Sequence, residues 1–338
     1  MRQTNIELCR IFAILLVVVV HSDFSVFGYP ETLSDTNLFL LLTESFAIIG
    51  VNVFVLITGY FSVTPKKSSL LNLTYICLFY AVLRFFLNLF VGNPITLNNF
   101  LFISNSNWFI PCYFGLLLFA PALNALCNNL SKRQLVWTIL LIVLYETYIG
   151  FLELSQQDVG FRRGYSVLSF MVLYLIARYI KLYDVLPKLK NWSGIIYIIC
   201  SFVLAVIAYL LLYFGYGKSL PKLFAYVNPL IIFSSISFFL LFEKMELKYN
   251  KTVNHIAKSC LAVLLVHACS EAVPYMHSNY QFIYSSYSGI LVVVFWIVSI
   301  LVTFLFAVLI DQIRIYSYKI ITRNNNQNNG LSNSIIQS

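Results

Sequence analysis

Charge is scarce in this chain. Asp, Glu, Lys and Arg make up 10% of its 338 residues, while 60% are hydrophobic and 17% aromatic. A water-soluble domain cannot cover that much apolar surface, so lipid has to be the solvent for much of it. Acid is scarcer than base, 13 against 22, which leaves a net charge of +9. In a soluble protein that excess would suggest nucleic acid. In a membrane chain it reflects cytoplasmic loops, which gather Lys and Arg, so no nucleic-acid partner is expected. Histidine is rarer still, with four in the whole chain. The seven cysteines (Cys9, Cys77, Cys112, Cys127, Cys200, Cys260 and Cys269) include no CxxC pair. Most lie inside apolar runs and read as small buried hydrophobes, so neither a disulfide framework nor a metal site is expected. There is no internal repeat, and no loop long enough to make a soluble domain.

What the chain has instead is long apolar runs. A bilayer core takes roughly 20 apolar residues per helix. On that template the sequence predicts an all-α polytopic integral membrane protein with about ten transmembrane helices. They fall near 6–24, 38–61, 70–91, 108–126, 135–153, 164–183, 193–215, 223–242, 258–276 and 288–313. The fourth contains Pro111 and Pro121 and is expected to be kinked or re-entrant. The first follows Arg2 but precedes no small-x-small cleavage site, so it reads as a retained helix rather than a signal peptide. With the N-terminus inside, four cations lie outside (Arg162, Arg163, Lys218 and Lys222) and Arg84 lies within the third span. The other 17 of the 22 are inside. That imbalance predicts both termini in the cytoplasm. Residues 1–321 then form one transmembrane domain, and the Asn-rich stretch 322–338 a disordered cytoplasmic tail.

The first span carries an anomaly. In "CRIFAILLVVVVHS", residues 9–22, Arg10 and His21 bracket an apolar run. Eleven residues at ~100° each come to about 20° past three full turns, so both side chains share one helix face, about 16 Å apart along the axis. A lone histidine near a helix end is often only an interfacial hydrogen-bonding residue. Its alignment with Arg10 favours a catalytic reading, because an imidazole with a pKa near its unperturbed ~6.5 can act as a general base at neutral pH. Glu44, Arg84 and Glu146 lie in the outer half of other spans. Each ionised group at mid-bilayer costs about 2.5–3.5 kcal/mol. They should therefore face one another or a watered cavity, as functional groups or as a packing ion pair. His267 and Glu271 are four apart and could share a helix face, the carboxylate orienting the imidazole or making an unreactive contact. Trp108, flanked by Asn105 and Asn107, fits an interfacial belt or a platform for a sugar. His255 and His277 lie at span edges and receive no role.

These residues together resemble the acyltransferase-3 family of integral-membrane acyltransferases. "NIELCRIFAILLVVVVHSDF" is similar to that family's first helix, whose hallmark is an arginine and a histidine separated by ten residues, here Arg10 and His21. "IGVNVFVLITGYF" resembles its Gly- and Phe-rich second segment, ending here in Thr58, Gly59 and Tyr60. "NWFIPCYFGLLLFAPALN" resembles its Trp-aromatic segment, and "SCLAVLLVHA" its late helix ending in a histidine, here His267. The chain departs from the family after the second span, where many members have Arg-x-Arg and this one has Lys66 and Lys67. No hydrolase-like domain follows the last span, so a membrane-only member is expected.

The resemblance implies transfer of an acyl group, usually acetyl, from cytoplasmic acyl-coenzyme A to a hydroxyl of an exported glycan or lipid-linked oligosaccharide. The setting it implies is the bacterial cytoplasmic membrane, with lipid as the surroundings and acyl-CoA as a donor substrate rather than a resident cofactor. Arg10, Lys66 and Lys67 would hold the donor phosphates. His21 would meet the thioester near the outer face, with Glu44, Arg84, Trp108, Glu146 and His267 as supporting or acceptor groups. His21 could act as a general base during direct attack or carry the acyl group itself. The rival reading is a carrier or flippase for a lipid-linked sugar or small anion. Such proteins often show related halves and paired helix breaks, which this sequence lacks. A glycan polymerase would be expected to have a large outer loop, and none is present.

Overall fold

The computed structural model describes residues 3–92, 107–154, 159–184 and 187–336, without the side chains of residues 35–37, 162, 188 and 323–336. Among these residues there is no strand, and the chain is built of helices. In order they are α1 (Thr4–His21), α2 (Phe24–Phe27), α3 (Asp35–Ala47), α4 (Gly50–Tyr60), α5 (Lys67–Val91), α6 (Phe109–Asn129) and α7 (Lys132–Glu146). There follow α8 (Val167–Tyr183), α9 (Pro187–Tyr213), α10 (Leu220–Leu223), α11 (Pro229–Glu243), α12 (Lys251–Ile256), α13 (Cys260–His267), α14 (Val273–Ser286) and α15 (Ile290–Ile336).

Burial sorts these helices by role. In α4 every residue but Phe54 is buried, as expected of a helix that is apolar all round and lies inside the bundle. It packs on α1, α8 and α11, while α1 also meets α3, α12 and α13. By contrast α5, α9 and α15 each keep a broad exposed apolar face, for example Phe86 and Phe90, Ile199 and Val206, and Val302 and Leu309. Faces this greasy are stable only against lipid tails.

Among the described residues, seven helical stretches are long and apolar enough to cross a membrane: Thr4–Phe27, Leu38–Tyr60, Lys67–Val91, Phe109–Asn129, Lys132–Phe151, Leu189–Tyr213 and Ile290–Thr322. The other three expected spans take different forms. The stretch expected over 164–183 becomes α8, with 17 residues, and that over 223–242 becomes α11, with 15. Both are packed against other helices, α8 on α4, α6 and α7, and α11 on α9, α4 and α1. The stretch expected over 258–276 is interrupted, with α13 stopping at His267 and α14 starting at Val273. A break at that depth needs protein or a cavity around it. The fourth span is one continuous helix, with α6 running unbroken through Pro121. Pro111 falls in its first turn, where a missing N–H has no intrahelical partner to lose.

Two glycines set how closely the central helices approach. A Cβ on Gly50 would lie 2.7 Å from the Ala13 carbonyl oxygen of α1, and one on Gly59 would lie 2.6 Å from the Tyr174 carbonyl oxygen of α8. Both obstacles are backbone and cannot swing away. The seat of α4 between α1 and α8 therefore depends on these positions lacking a side chain.

Candidate functional site

Between α1, α4, α5, α6, α13 and α14 lies a cavity of about 530 Å³. Each helix gives it one face. From α1 come Arg10, Ile14, Val17 and His21, from α4 Val51, Phe54 and Thr58, and from α6 Phe109, Tyr113 and Leu117. These are helical intervals of three, four and seven, so each wall is a single stripe. Arg10 and Lys258 lie at one end, beside Pro65 and Ser69. His21, His267, Trp108, Tyr226 and His277 lie at the other. The wall between is mostly apolar, with Thr58 Oγ1 and Tyr113 OH facing each other at 3.3 Å.

The histidine end has a defined proton arrangement. His267 Nδ1 donates to the Val263 carbonyl oxygen at 2.5 Å, an atom that can only accept. In a neutral ring its Nε2 then carries a lone pair. That nitrogen is 2.8 Å from His21 Nδ1, which must therefore be the donor. The consequence is that His21 holds its proton on Nδ1, and its Nε2 lone pair has no protein partner among the described residues. A base oriented by a second hydrogen-bonded group is the arrangement that acid–base and nucleophilic sites share. Here the orienting group is a second imidazole. The end of α1 is fixed as well, because Trp296 Nε1 donates to Ser22 Oγ at 3.0 Å and Ser22 Oγ donates to the Val19 carbonyl.

At the other end Arg10 already has an anion beside it, its Nη1 lying 2.7 Å from Glu7 Oε2 on the same helix. A guanidinium has five N–H donors, so one such contact leaves others for a second anion. Lys66 and Lys67 are exposed at the start of α5 and do not line the cavity, although their neighbours Pro65 and Ser69 do. Lys258 is the lysine in the wall. Its sequence signal was the loop "AKSC" leading into the helix that ends in His267, where it counted only as a topological charge.

Three charged residues of the sequence reading stand apart from the cavity. Arg84 clasps Glu271, with Nε to Oε2 at 2.8 Å and Nη2 to Oε1 at 3.1 Å, and Asn88 Nδ2 and Ser270 Oγ join them. It is thus an ion pair, made with neither Glu44 nor Glu146. Glu271 is correspondingly not the partner of His267, because α13 ends at His267 and the four-residue spacing no longer defines a face. Glu44 is buried in α3, next to the Thr43 hydroxyl that donates to Asp23. Glu146 is buried at the end of α7, just before a π-helical turn at Thr147–Phe151. Trp108 does line the cavity, in ring contact with Tyr165 at 4.5 Å and Tyr226 at 5.6 Å. Asn107 lines it too, its Oδ1 accepting from the Phe109 amide, whereas Asn105 lies outside the described residues. In the loop beyond α7, Arg163 pairs with Glu153 and its hydrogen bond holds that carboxyl below the usual carboxylate range. Among the described residues no cluster of His, Cys, Asp or Glu could hold a metal ion.

Comparison with curated proteins and with solved structures returned no match. A family model does match: that of the acyltransferase-3 family, described as an acyltransferase domain, over residues 3–312. The matched stretch contains every cavity-lining residue named above, along with several helices long enough to cross a membrane. The chain belongs to the acyltransferase-3 family.

Proposed function

We propose that this protein is a membrane O-acyltransferase that moves an acetyl or similar short acyl group from cytoplasmic acyl-CoA to a hydroxyl of an exported glycan. One observation carries the reading: a single cavity joins a cationic end to the free Nε2 of an oriented histidine. The dimensions agree with it. From Arg10 to His21 the helix rises about 16 Å. A phosphopantetheine arm has the backbone length of about four extended residues, ~14 Å. Phosphates held by Arg10 and Lys258 would therefore bring the thioester just short of His21, with the arm's amides passing Thr58 and Tyr113.

The reaction then needs only groups lining this cavity. The acceptor hydroxyl donates to His21 Nε2 and attacks the thioester carbonyl. A C–O bond forms, the hydroxyl proton moves to Nε2, and the resulting imidazolium is stabilised by donating from Nδ1 to His267. The C–S bond breaks, and the proton on Nε2 passes to the departing sulfur to give the free thiol. Direct attack is preferred to an acyl-histidine relay because donor and acceptor can occupy one continuous cavity together. The orientation follows from the charges: the Arg10 end faces the cytoplasm, where Lys and Arg concentrate, and the His21 end faces outward. On this orientation the protein resides in a bacterial cytoplasmic membrane.

The test is reconstitution. Purified protein in liposomes is supplied with acetyl-CoA and with surface glycan from a strain lacking the gene. Free thiol should appear together with an equal amount of glycan-bound acetyl, as mass spectrometry would read it. Transmembrane movement of glycan or anion without thiol release would replace this reading with the carrier one.

A further inference from the structure

Of the four histidines in the chain, three converge on one end of the cavity from three different helices. Two are paired, His21 with His267. The third, His277 on α14, has been given no task. Its orientation is settled by its neighbours: Val273 and Met276 line the same cavity, and Tyr280, one turn on, is fully buried. These positions recur at three and four residues, so they form the inward face of α14. His277 is half-buried there, and its imidazole has no hydrogen bond among the described residues. The other polar groups at this end are largely engaged. Ser25 Oγ donates to the His21 carbonyl, and Asn107 Oδ1 accepts from a backbone amide.

We propose that His277 is the acceptor-orienting residue, hydrogen-bonding a hydroxyl next to the one acylated and so selecting which position of the sugar reaches His21 Nε2. The inference rests on the acyl-transfer reading and adds the source of its regioselectivity. A sugar presents neighbouring hydroxyls of similar reactivity, and a single base cannot distinguish them. Distinction needs a second polar contact at a fixed place. Aromatic rings such as Trp108 and Tyr226 can hold a pyranose face, but a face contact permits sliding. A neutral imidazole supplies one donor and one acceptor, which matches a hydroxyl in either sense. His277 comes from α14, a different helix from those that carry His21 and His267, so it can contact the acceptor independently of His21. No hydrogen bond fixes its tautomer, which suits a group that binds rather than one that must present a lone pair for proton abstraction.

The test compares wild type, His277→Ala, His277→Phe and His277→Gln, each restored at matched membrane level to a strain lacking the gene. The position of the acetyl groups on its surface glycan is read by two-dimensional NMR. Acetyl-CoA affinity and acceptor KM are measured on the purified proteins with that strain's unacetylated glycan. Wild type should modify one position. The alanine and phenylalanine variants should spread acetyl over neighbouring positions and raise acceptor KM about 2- to 10-fold, the loss expected for one hydrogen bond. Acetyl-CoA affinity should not change. The glutamine variant, which keeps a donor and an acceptor, should restore the single position. Phenylalanine preserves the ring's bulk, so its result separates hydrogen bonding from packing. A single position with wild-type KM in the phenylalanine variant overturns the proposal. Absence of acetyl from the wild-type glycan is a separate failure, which overturns the acyl-transfer reading and this inference with it.

Discussion

An imidazole has two nitrogens, and in His21 one of them is committed to His267. If that bond fixes the tautomer and ring orientation, His267→Ala should lower kcat on the order of 10²-fold while acyl-CoA affinity stays unchanged, within the range seen when an orienting partner of a catalytic histidine is lost. His267→Gln retains an oxygen that can accept from Nδ1 and should recover part of the rate. Steady-state kinetics on the purified variants decides the matter, and an alanine variant with wild-type kcat would remove His267 from the mechanism. At the donor end, Arg10→Ala and Lys258→Ala should each weaken CoA binding by about 10- to 150-fold, the equivalent of losing a charge-assisted contact. Lys66→Ala should do less, because Lys66 is exposed outside the cavity wall. Titration calorimetry with CoA tests this ordering, and equal affinities for all three would contradict it. The Arg10–His21 relation was legible in the sequence because both residues belong to one helix with a fixed rise and twist. The His21–His267 bond was not, since it joins residues 246 apart and no local periodicity encodes it. Lys258 and His277 were visible only as charges and edge residues, for the same reason.

The decisive element is the break between α13 and α14. As a continuous span it would place Glu271 one turn beyond His267 and give the histidine a carboxylate neighbour. Instead the chain turns after His267, and Glu271 is drawn sideways to Arg84 on α5. That pair anchors the turn which sets the position of His267. Removing Arg84 leaves a largely buried carboxylate unpaired, which costs roughly 3–5 kcal/mol when burial is complete. Some exposure at Arg84 places the expected loss toward the lower figure. Arg84→Met should therefore lower the melting temperature in detergent more than Arg84→Met with Glu271→Met, where no charge is stranded. A single variant as stable as the wild type would show that the pair does not hold the turn. The apolar runs made seven spans readable from composition alone. The shortness of α8 and α11 and the gap after α13 were not readable, because they depend on what surrounds each helix rather than on its own residues.

For the whole molecule, function depends on sidedness. The seven cysteines are all buried, so a cysteine added after Arg323 should be the main reactive thiol. It should resist membrane-impermeant maleimide in intact cells and react after lysis, as the charge asymmetry requires. Labelling in intact cells would place the tail outside and move the donor end of the cavity away from the cytoplasmic CoA pool.

The central claim, that acyl transfer occurs at His21 Nε2, is tested most directly by His21→Gln in the reconstituted assay. Glutamine keeps polarity and hydrogen bonding but cannot take up a proton at neutral pH. Loss of a general base alone should lower the rate about 10²- to 10⁴-fold. The variant should insert normally, bind acetyl-CoA with wild-type affinity and transfer acetyl to glycan at or below that reduced rate. A glutamine variant that acetylates glycan at nearly the wild-type rate would make His21 a structural residue and contradict the account.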